Sequence, residues 1–320
     1  MSTHTQLLER SAPRERNKTP RSKAQRTAAP RERSNKTGYL FVAGYTILLI
    51  LFGIVPTVYA FALAFTNDQW QFTGLGQFIV VVTDFRFVRS MANLASYIAL
   101  WLTVIVVFAV GLALVLRNHI HDRMSVFWRF LFYLPGALAG VASALVWMFM
   151  LSPQVSPIAP LLQAMGWTDF GKIVQPQNLP AIFTVMAFWV GAGGWIIIMY
   201  GAVNNISDEV MEAARIDGAS TWQLAWHIQI PMIRQWIVYM VILAFAAGTQ
   251  IFVEPQMLGV ASKVVDVTWS PNQLAYQFAF GPMSNANAAA ALSVLLLIVG
   301  LVVAVVLVTR SGLFDVEAED

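Results

Sequence analysis

Few residues in this chain are of a type that does chemistry. Glu254 is the one ionisable side chain inside a long apolar run, and Gln250 stands four residues before it. That spacing puts both on one face of a helix. An ionisable group within a membrane-length run marks a functional site by default, and sugar hydroxyls suit a carboxylate and an amide. Trp147 and Trp189, in two other apolar runs, offer ring faces that could cover the apolar side of a sugar; packing or lipid contact is the simpler reading of both. For Glu254 the simpler reading is that Pro255 ends the helix and the carboxylate reaches outer water.

Other candidate chemistry is weaker. His119 and His121 form H-x-H, but a metal site needs a third ligand and only Asp122 adjoins them. A solvated loop accounts for them. "GWTDFGKI" (166–173) fits G-x-x-x-x-G-K, yet Ile173 stands where a phosphate loop uses Ser or Thr to hold magnesium, and no strand precedes it. No histidine pairs with a serine in a nucleophile arrangement and no two carboxylates share an apolar run, so enzyme readings lack visible machinery. With no cysteine, disulfides and thiolate metal sites are excluded.

The elements that must position these residues follow from composition. The 320 residues are 58 % hydrophobic and 12 % charged, with a mean hydropathy of +0.63. A soluble domain carries about 25 % charged residues, so half the usual charge is missing, chiefly from long uncharged runs. That pattern is an integral membrane protein. About 20 apolar residues cross a bilayer, and six segments qualify: 39–65, 94–116, 130–151, 181–203, 236–258 and 286–308. The expected fold class is all-α integral membrane with about six transmembrane helices.

Residues 1–38 hold ten Lys/Arg and three Glu, a net of +7, whereas the rest holds ten Lys/Arg against fourteen Asp/Glu, a net of −4. This head echoes itself, RERNKT at 14–19 and RERSNKT at 31–37, and has too few large apolar residues to offset its ordering entropy. It reads as a disordered basic tail that sets topology. It is too long for the basic part of a cleaved signal peptide, and the apolar run after it spans fully. No aromatic residues are interleaved to suit nucleic acid. A cytoplasmic head and six spans place both termini inside, with sixteen Lys/Arg on that side and four (Arg86, Arg89, Lys172 and Lys263) outside. Without the head the ratio is six to four, so the orientation rests on the head.

Gly136 and Gly140 form a small-xxx-small pair suited to close helix approach, and VGAGGW (190–195) marks a local break or a close contact in span four. The outer segment 152–180 reads as an ordered loop with one short helix. Between spans four and five lies a charged stretch, EVMEAARIDGASTWQLAWHIQIP, Glu209–Pro231. Ser207 suits an N-cap, with Asp208 and Glu209 in the first turn, where carboxylates favour the helix dipole. A helix to about Asp217 ends on Gly218 as a left-handed residue. Ser220 and Gln223 match a capping box, and the second helix runs to about Ile230 and stops at Pro231. An ordinary connection with two interfacial helices would share these features.

The word order is more specific: Glu212-Ala213-Ala214, three residues, Gly218, nine residues, then Ile228-Gln229-Ile230-Pro231. It resembles the EAA loop of ABC importer permeases, with Ile230 in place of the usual Leu, a volume-conserving change. The resemblance runs from Tyr39 to Phe314. FTGLGQF (72–78) is similar to the family's F-x-G-L-x-N-Y/F, with Gln77 where Asn is commoner. RFLFYLP (129–135) resembles its R-x-x-F-x-x-P, followed by a Trp-containing span. The likeness narrows to the carbohydrate-type permeases, closest to the larger, first permease of maltose-type systems without its extra outer domain.

The resemblance implies a type I ABC importer transmembrane domain with cytoplasmic N and C termini. It divides the chain into the basic tail 1–38, a permease domain 39–314 containing an ATPase-coupling loop 206–232, and a cytoplasmic tail 315–320. In that loop Ala213 and Ala214 would seat closely in a cleft on the ATPase, Glu212 would make polar contacts at its rim, Gly218 would fix the angle between the helices, and Ile230 and Pro231 would close the motif. The implied function is the non-catalytic permease subunit of an ATP-driven importer for a sugar or related polyol in a bacterial inner membrane. Its partners would be membrane lipids, a second permease that is a different chain, two ATP-binding subunits and an extracytoplasmic solute-binding protein, with no nucleic acid. ATP and magnesium would belong to the ATPase, leaving no cofactor in this chain. The rival is an ion-coupled secondary transporter built around Glu254; the absence of a clear internal repeat counts against it.

Overall fold

A computed structural model of the chain describes residues 36–138, 140–282 and 284–311, which are helices joined by turns and one isolated bridge, Thr66 to Phe72. The expected tail 1–38 lies outside the described residues except for its last three, which already belong to a helix; the expected tail 315–320 lies wholly outside them.

The chain divides into two units, Met1–Leu51 and Phe52–Asp320. In the first, the apolar side chains of α1 (Lys36–Leu49) from Val42 onward are mostly exposed, Tyr45 at 69 %; a π-helical turn, Ile50–Ile54, follows it in the chain. The second contains α2 (Val55–Ala64), α3 (Gly76–Thr83), α4 (Phe85–Asn118), α5 (Asp122–Tyr133), α6 (Gly140–Met150), the short α7 (Ala159–Ala164) and α8 (Phe170–Ile173), and α9 (Leu179–Asn204). It continues with α10 (Asp208–Ile216), α11 (Thr221–Leu224), α12 (Ile230–Met232), α13 (Arg234–Gly248), α14 (Val253–Ala261), α15 (Pro271–Phe280) and α16 (Ala286–Ser311).

Four helical runs, Val42–Ala64, α4, α9 and Ala286–Arg310, are long and apolar enough to cross a membrane. Two bent pairs, Arg123–Ala137 with α6 and Thr221–Met232 with α13, bring the number among the described residues to as many as six, each pair counted as one span. The protein is thus an all-α integral membrane protein of about six spans, two of them broken. Large apolar side chains such as Phe52 (77 % exposed) and Leu301 (61 %) face outward, as they do where the solvent is hydrocarbon.

The main core lies where α4 packs along α9, burying Ile105, Ala109 and Ala113 against Phe183, Met186 and Ile196. A second core joins α2, α3, α15 and α16 through Ala64, Val81, Leu274 and Leu292. There Asn287 Nδ2 donates to the Leu63 and Thr66 carbonyls at 3.0 and 2.9 Å, and Gln77 Nε2 donates to Thr66 at 3.2 Å. Gln77, the departure from the family's Asn, therefore holds the end of α2. At the start of α4, Asp84 caps the helix and accepts three bonds from Arg86, which hold its carboxyl below the usual carboxylate range against the opposing effect of partial burial.

One local expectation resolves to one of its two readings, and two others need correction. VGAGGW makes a close contact and no break: α9 is continuous, and a Cβ on Gly193 would fall on the Phe132 carbonyl and 2.5 Å from Tyr133 Cα. Gly136 and Gly140 do not share one helix face, because the helix breaks between Ala137 and Gly140; Gly136 instead lets the backbone approach Val190, its Cβ position lying 3.0 Å from that carbonyl. The segment 152–180 holds two short helices rather than one, since Asp169 caps α8 by accepting from Lys172 N at 3.0 Å.

Candidate functional site

The stretch 206–232 folds as its punctuation dictates through its first half. Ser207 has the extended backbone of an N-cap, although its hydroxyl makes no capping bond. Gly218 takes φ +85°, with Gly218 N donating to Arg215 O at 3.0 Å and Ala219 N to Ala214 O at 2.9 Å. Those two bonds are a Schellman motif, which requires the left-handed residue that glycine adopts without a Cβ penalty. Ser220 and Gln223 then close both halves of a capping box.

The second half departs from expectation. α11 widens into a π-helical turn, Ala225–Gln229, and the helix continues through Pro231 to Met232. Pro231 does not stop it; a wide turn immediately before a proline relieves the ring's clash with the preceding carbonyls. The bend comes two residues later, at 68° between Thr221–Met232 and α13.

The two sides of this knob differ. Met211, Leu224, Gln229 and Ile233 are buried against the bundle, with Ala214 and Ile230 half-buried. Glu212, Ala213, Gly218 and Pro231 are exposed, as are Ile216 at 86 % and Trp222 at 72 %. The rings of Trp222 and Trp226 stack at 5.8 Å. Ile216, Trp222 and Trp226 thus form an exposed apolar trio beyond the expected coupling residues; its signal in the sequence is Trp222 and Trp226 at i, i+4.

Two ties join the knob to the end of α4, and neither was anticipated. Arg117 Nη2 donates to Asp208 Oδ1 at 2.7 Å. Asn118 Nδ2 donates to Gln229 Oε1 at 2.9 Å while Gln229 Nε2 donates back to Asn118 Oδ1 at 3.1 Å, a reciprocal amide pair with Gln229 only 1 % exposed.

Gln250 and Glu254 are not on one helix face. α13 ends at Gly248, and Glu254 lies in the first turn of α14, after a non-helical link. Pro255 accordingly sits in a first turn, where proline is tolerated, and does not end a helix. The break exposes carbonyl groups that a bilayer cannot satisfy. Asn272 Nδ2 donates to Thr249 O at 2.7 Å and Ile251 O at 3.3 Å, and Ser270 Oγ donates to Ile251 O at 3.0 Å.

The broken link nevertheless brings Gln250 and Glu254 to one cavity of about 350 Å³, whose walls include Tyr97, Trp101, Gly191 and Trp195. Trp101 is fixed there by Nε1 donating to Ala244 O at 3.2 Å. Trp147 and Trp189 supply no wall of it. They pair edge to face at 6.2 Å, and Trp147 packs between two cores. The missed residues were legible in part: Tyr97 and Trp101 are four apart on α4. Among the described residues, no three His, Asp or Glu side chains gather as a metal site, His119 and His121 included.

A family model described as the binding-protein-dependent transport system inner membrane component matches residues 123–312. The osmoprotective compounds uptake permease protein GgtC of Synechocystis sp. is 28 % identical over 204 residues, covering 61 % of this chain and 71 % of that one. The arabinooligosaccharides transport system permease protein AraP of Bacillus subtilis is 23 % identical over 285 residues, covering 87 % and 90 %. The multiple sugar-binding transport system permease protein MsmF of Streptococcus mutans is 24 % identical over 293 residues, covering 87 % and 96 %. Among solved structures, a chain of a bacterial ABC transporter that imports the acidic polysaccharide alginate superposes with a TM-score of 0.71 at 20 % identity, covering 86 % of this chain and 94 % of that one. At that identity the likeness is one of fold.

Proposed function

Because the chain belongs to the family of binding-protein-dependent transport system inner membrane components, we propose that it is the permease subunit of an ATP-driven importer for a sugar or related polyol. Family membership favours this over an ion-coupled transporter. The protein is a multi-pass inner-membrane component, forms half of the translocation path, and works with the other subunits of an ABC importer. In this reading those are a second, different permease, two ATP-binding subunits that hold ATP and magnesium, and a solute-binding protein outside. Both termini and the loop 206–232 face the cytoplasm.

The Gly218 turn carries the coupling part of the reading. It holds α10 and α11 at a fixed angle, so that small Ala213, exposed Glu212 and the Ile216–Trp222–Trp226 surface present one rigid face to an ATPase cleft. Ala214 and Ile230, half-buried, seat that face on the bundle, and Pro231 leads into α13. Nucleotide-driven closure of the ATPases would then rock the spans on either side and alternate the cavity's access. Gln250 and Glu254 offer amide and carboxylate partners for hydroxyls, and Trp101 and Trp195 offer ring faces.

Vesicles carrying this chain with whatever co-purifies test the reading. They are given a labelled panel of mono- and disaccharides, arabino-oligosaccharides and polyols. Uptake that requires ATP and a co-purified ATPase is expected. Uptake driven by an ion gradient without ATP would overturn it.

A further inference from the structure

Three long helices reach the knob, but only two are joined to it by the chain. α9 runs into α10 through residues 205–207, and α12 runs into α13 through Ile233. α4 has no such link; its C-terminal residues are hydrogen-bonded to the knob at Arg117–Asp208 and Asn118–Gln229 and share an apolar cavity with Thr221, Trp222 and Ala225. Yet α4 carries Tyr97 and Trp101 into the cavity that holds Glu254. Seventeen residues separate Trp101 from Asn118, about 25 Å along a helix at 1.5 Å per residue.

We propose that the Asn118–Gln229 amide pair is the joint that makes α4 move with the knob, with Arg117–Asp208 as its outer guide. The two side chains are positioning residues for transport, an inference that rests on the permease reading above. The amide pair is the stronger tie on physical grounds. Gln229 is buried, so separating the pair would leave buried amide groups unpaired. The ion pair is solvated, with Asp208 79 % exposed, and such pairs contribute little by themselves. The π-helical turn contributes geometrically: it places Gln229 inward, in the register where its amide meets Asn118 face to face.

The test is uptake of the same labelled panel counted against phosphate released, in the reconstituted complex. Gln229→Met and Asn118→Leu are each expected to lower substrate moved per ATP about tenfold, the effect of losing a paired buried amide, with complex assembly and basal ATPase activity unchanged. The exchanged pair, Asn118→Gln with Gln229→Asn, keeps the summed side-chain length and is expected to restore the ratio. An unchanged ratio in the single variants, or no restoration in the exchanged pair, would overturn the joint. If the single variants do not assemble, cross-linking decides, because this chain has no cysteine of its own. Arg117→Cys with Asp208→Cys, bridged by a bis-maleimide, should go on transporting, since the joint moves as one body; transport abolished by the bridge would overturn the proposal. Should the parent complex show no ATP-driven uptake, the permease reading itself fails, which is a separate outcome.

Discussion

Asn272 Nδ2 donates to the Thr249 carbonyl at 2.7 Å, across twenty-three residues of chain, and so satisfies the last turn of α13 where it stops inside an apolar run. Asn272→Ala orphans that carbonyl and weakens the hold on Ile251, a loss of about 1–3 kcal/mol. The expected result is a lower unfolding midpoint of the detergent-solubilised protein. An unchanged midpoint would mean that Ser270 alone holds the break.

Gly193 and Gly194 are neighbours of the same type with opposite surroundings. A methyl at Gly193 meets the Phe132–Tyr133 backbone, whereas nothing lies within 4 Å at Gly194. Gly193→Ala should destabilise by about 1–3 kcal/mol through overpacking. Gly194→Ala should stabilise by up to about 1 kcal/mol through helix propensity. Thermal unfolding of the two variants is expected to shift in opposite directions.

Gly218→Pro cannot adopt φ +85°, because the ring locks φ near about −65°. Glu212→Lys reverses a charge on the exposed side of the knob without touching the core. Both variants are expected to insert in the membrane while uncoupling ATP hydrolysis from uptake. Normal uptake per ATP in either would remove the coupling role.

Glu254→Gln keeps the side chain's shape and removes its charge at the cavity. A hydrogen bond to a charged group contributes about 1.5–3 kcal/mol, so KM for uptake should rise roughly ten- to hundredfold. Coupling to ATP hydrolysis should be unaffected, in contrast to Glu212→Lys. Uptake kinetics with an unchanged KM would take Glu254 out of the substrate path.

Asp84 contributes to stability in its charged form, since the Arg86 side chain and backbone hold its carboxyl below the usual range. A depressed carboxyl stabilises fully above its unfolded value, about 4, and loses that contribution as pH falls from there through the lower folded value. Asp84→Ala should therefore cost about 1 kcal/mol at pH 7, the usual effect of losing a cap. The gap to the parent should close as unfolding is measured at successively lower pH below that value.

What was legible was local. Gly218, Ser220 and Gln223 act within four residues of themselves, through a left-handed turn and a reciprocal cap, so their types and spacing suffice to place α10 and α11. The spans were legible for a similar reason, because hydropathy over about 20 residues registers solvent preference whatever the neighbours do. Hydropathy does not register whether the backbone of such a run stays hydrogen-bonded to itself. The run 236–258 is apolar apart from Thr249, Gln250, Glu254 and Gln256, yet its helix stops at Gly248, because Asn272 and Ser270 offer the freed carbonyls partners from a distant segment. Pro231 misled in the opposite sense: a proline ordinarily ends a helix, but the π-helical turn before it absorbs the clash.

The sequence by itself determined the class of solvent, the approximate number of spans and the punctuation of the knob, all of them sums or patterns over adjacent residues. Only the tertiary structure decided that Gln250 and Glu254 share a cavity with Tyr97, Trp101 and Trp195 while Trp147 and Trp189 pair elsewhere, and that α4 is tied to the knob through Asn118 and Gln229. Those relationships join residues as far apart in the chain as Tyr97 and Glu254. They depend on how helices cross and where they break, which is set by packing and by buried hydrogen bonds that no local pattern records.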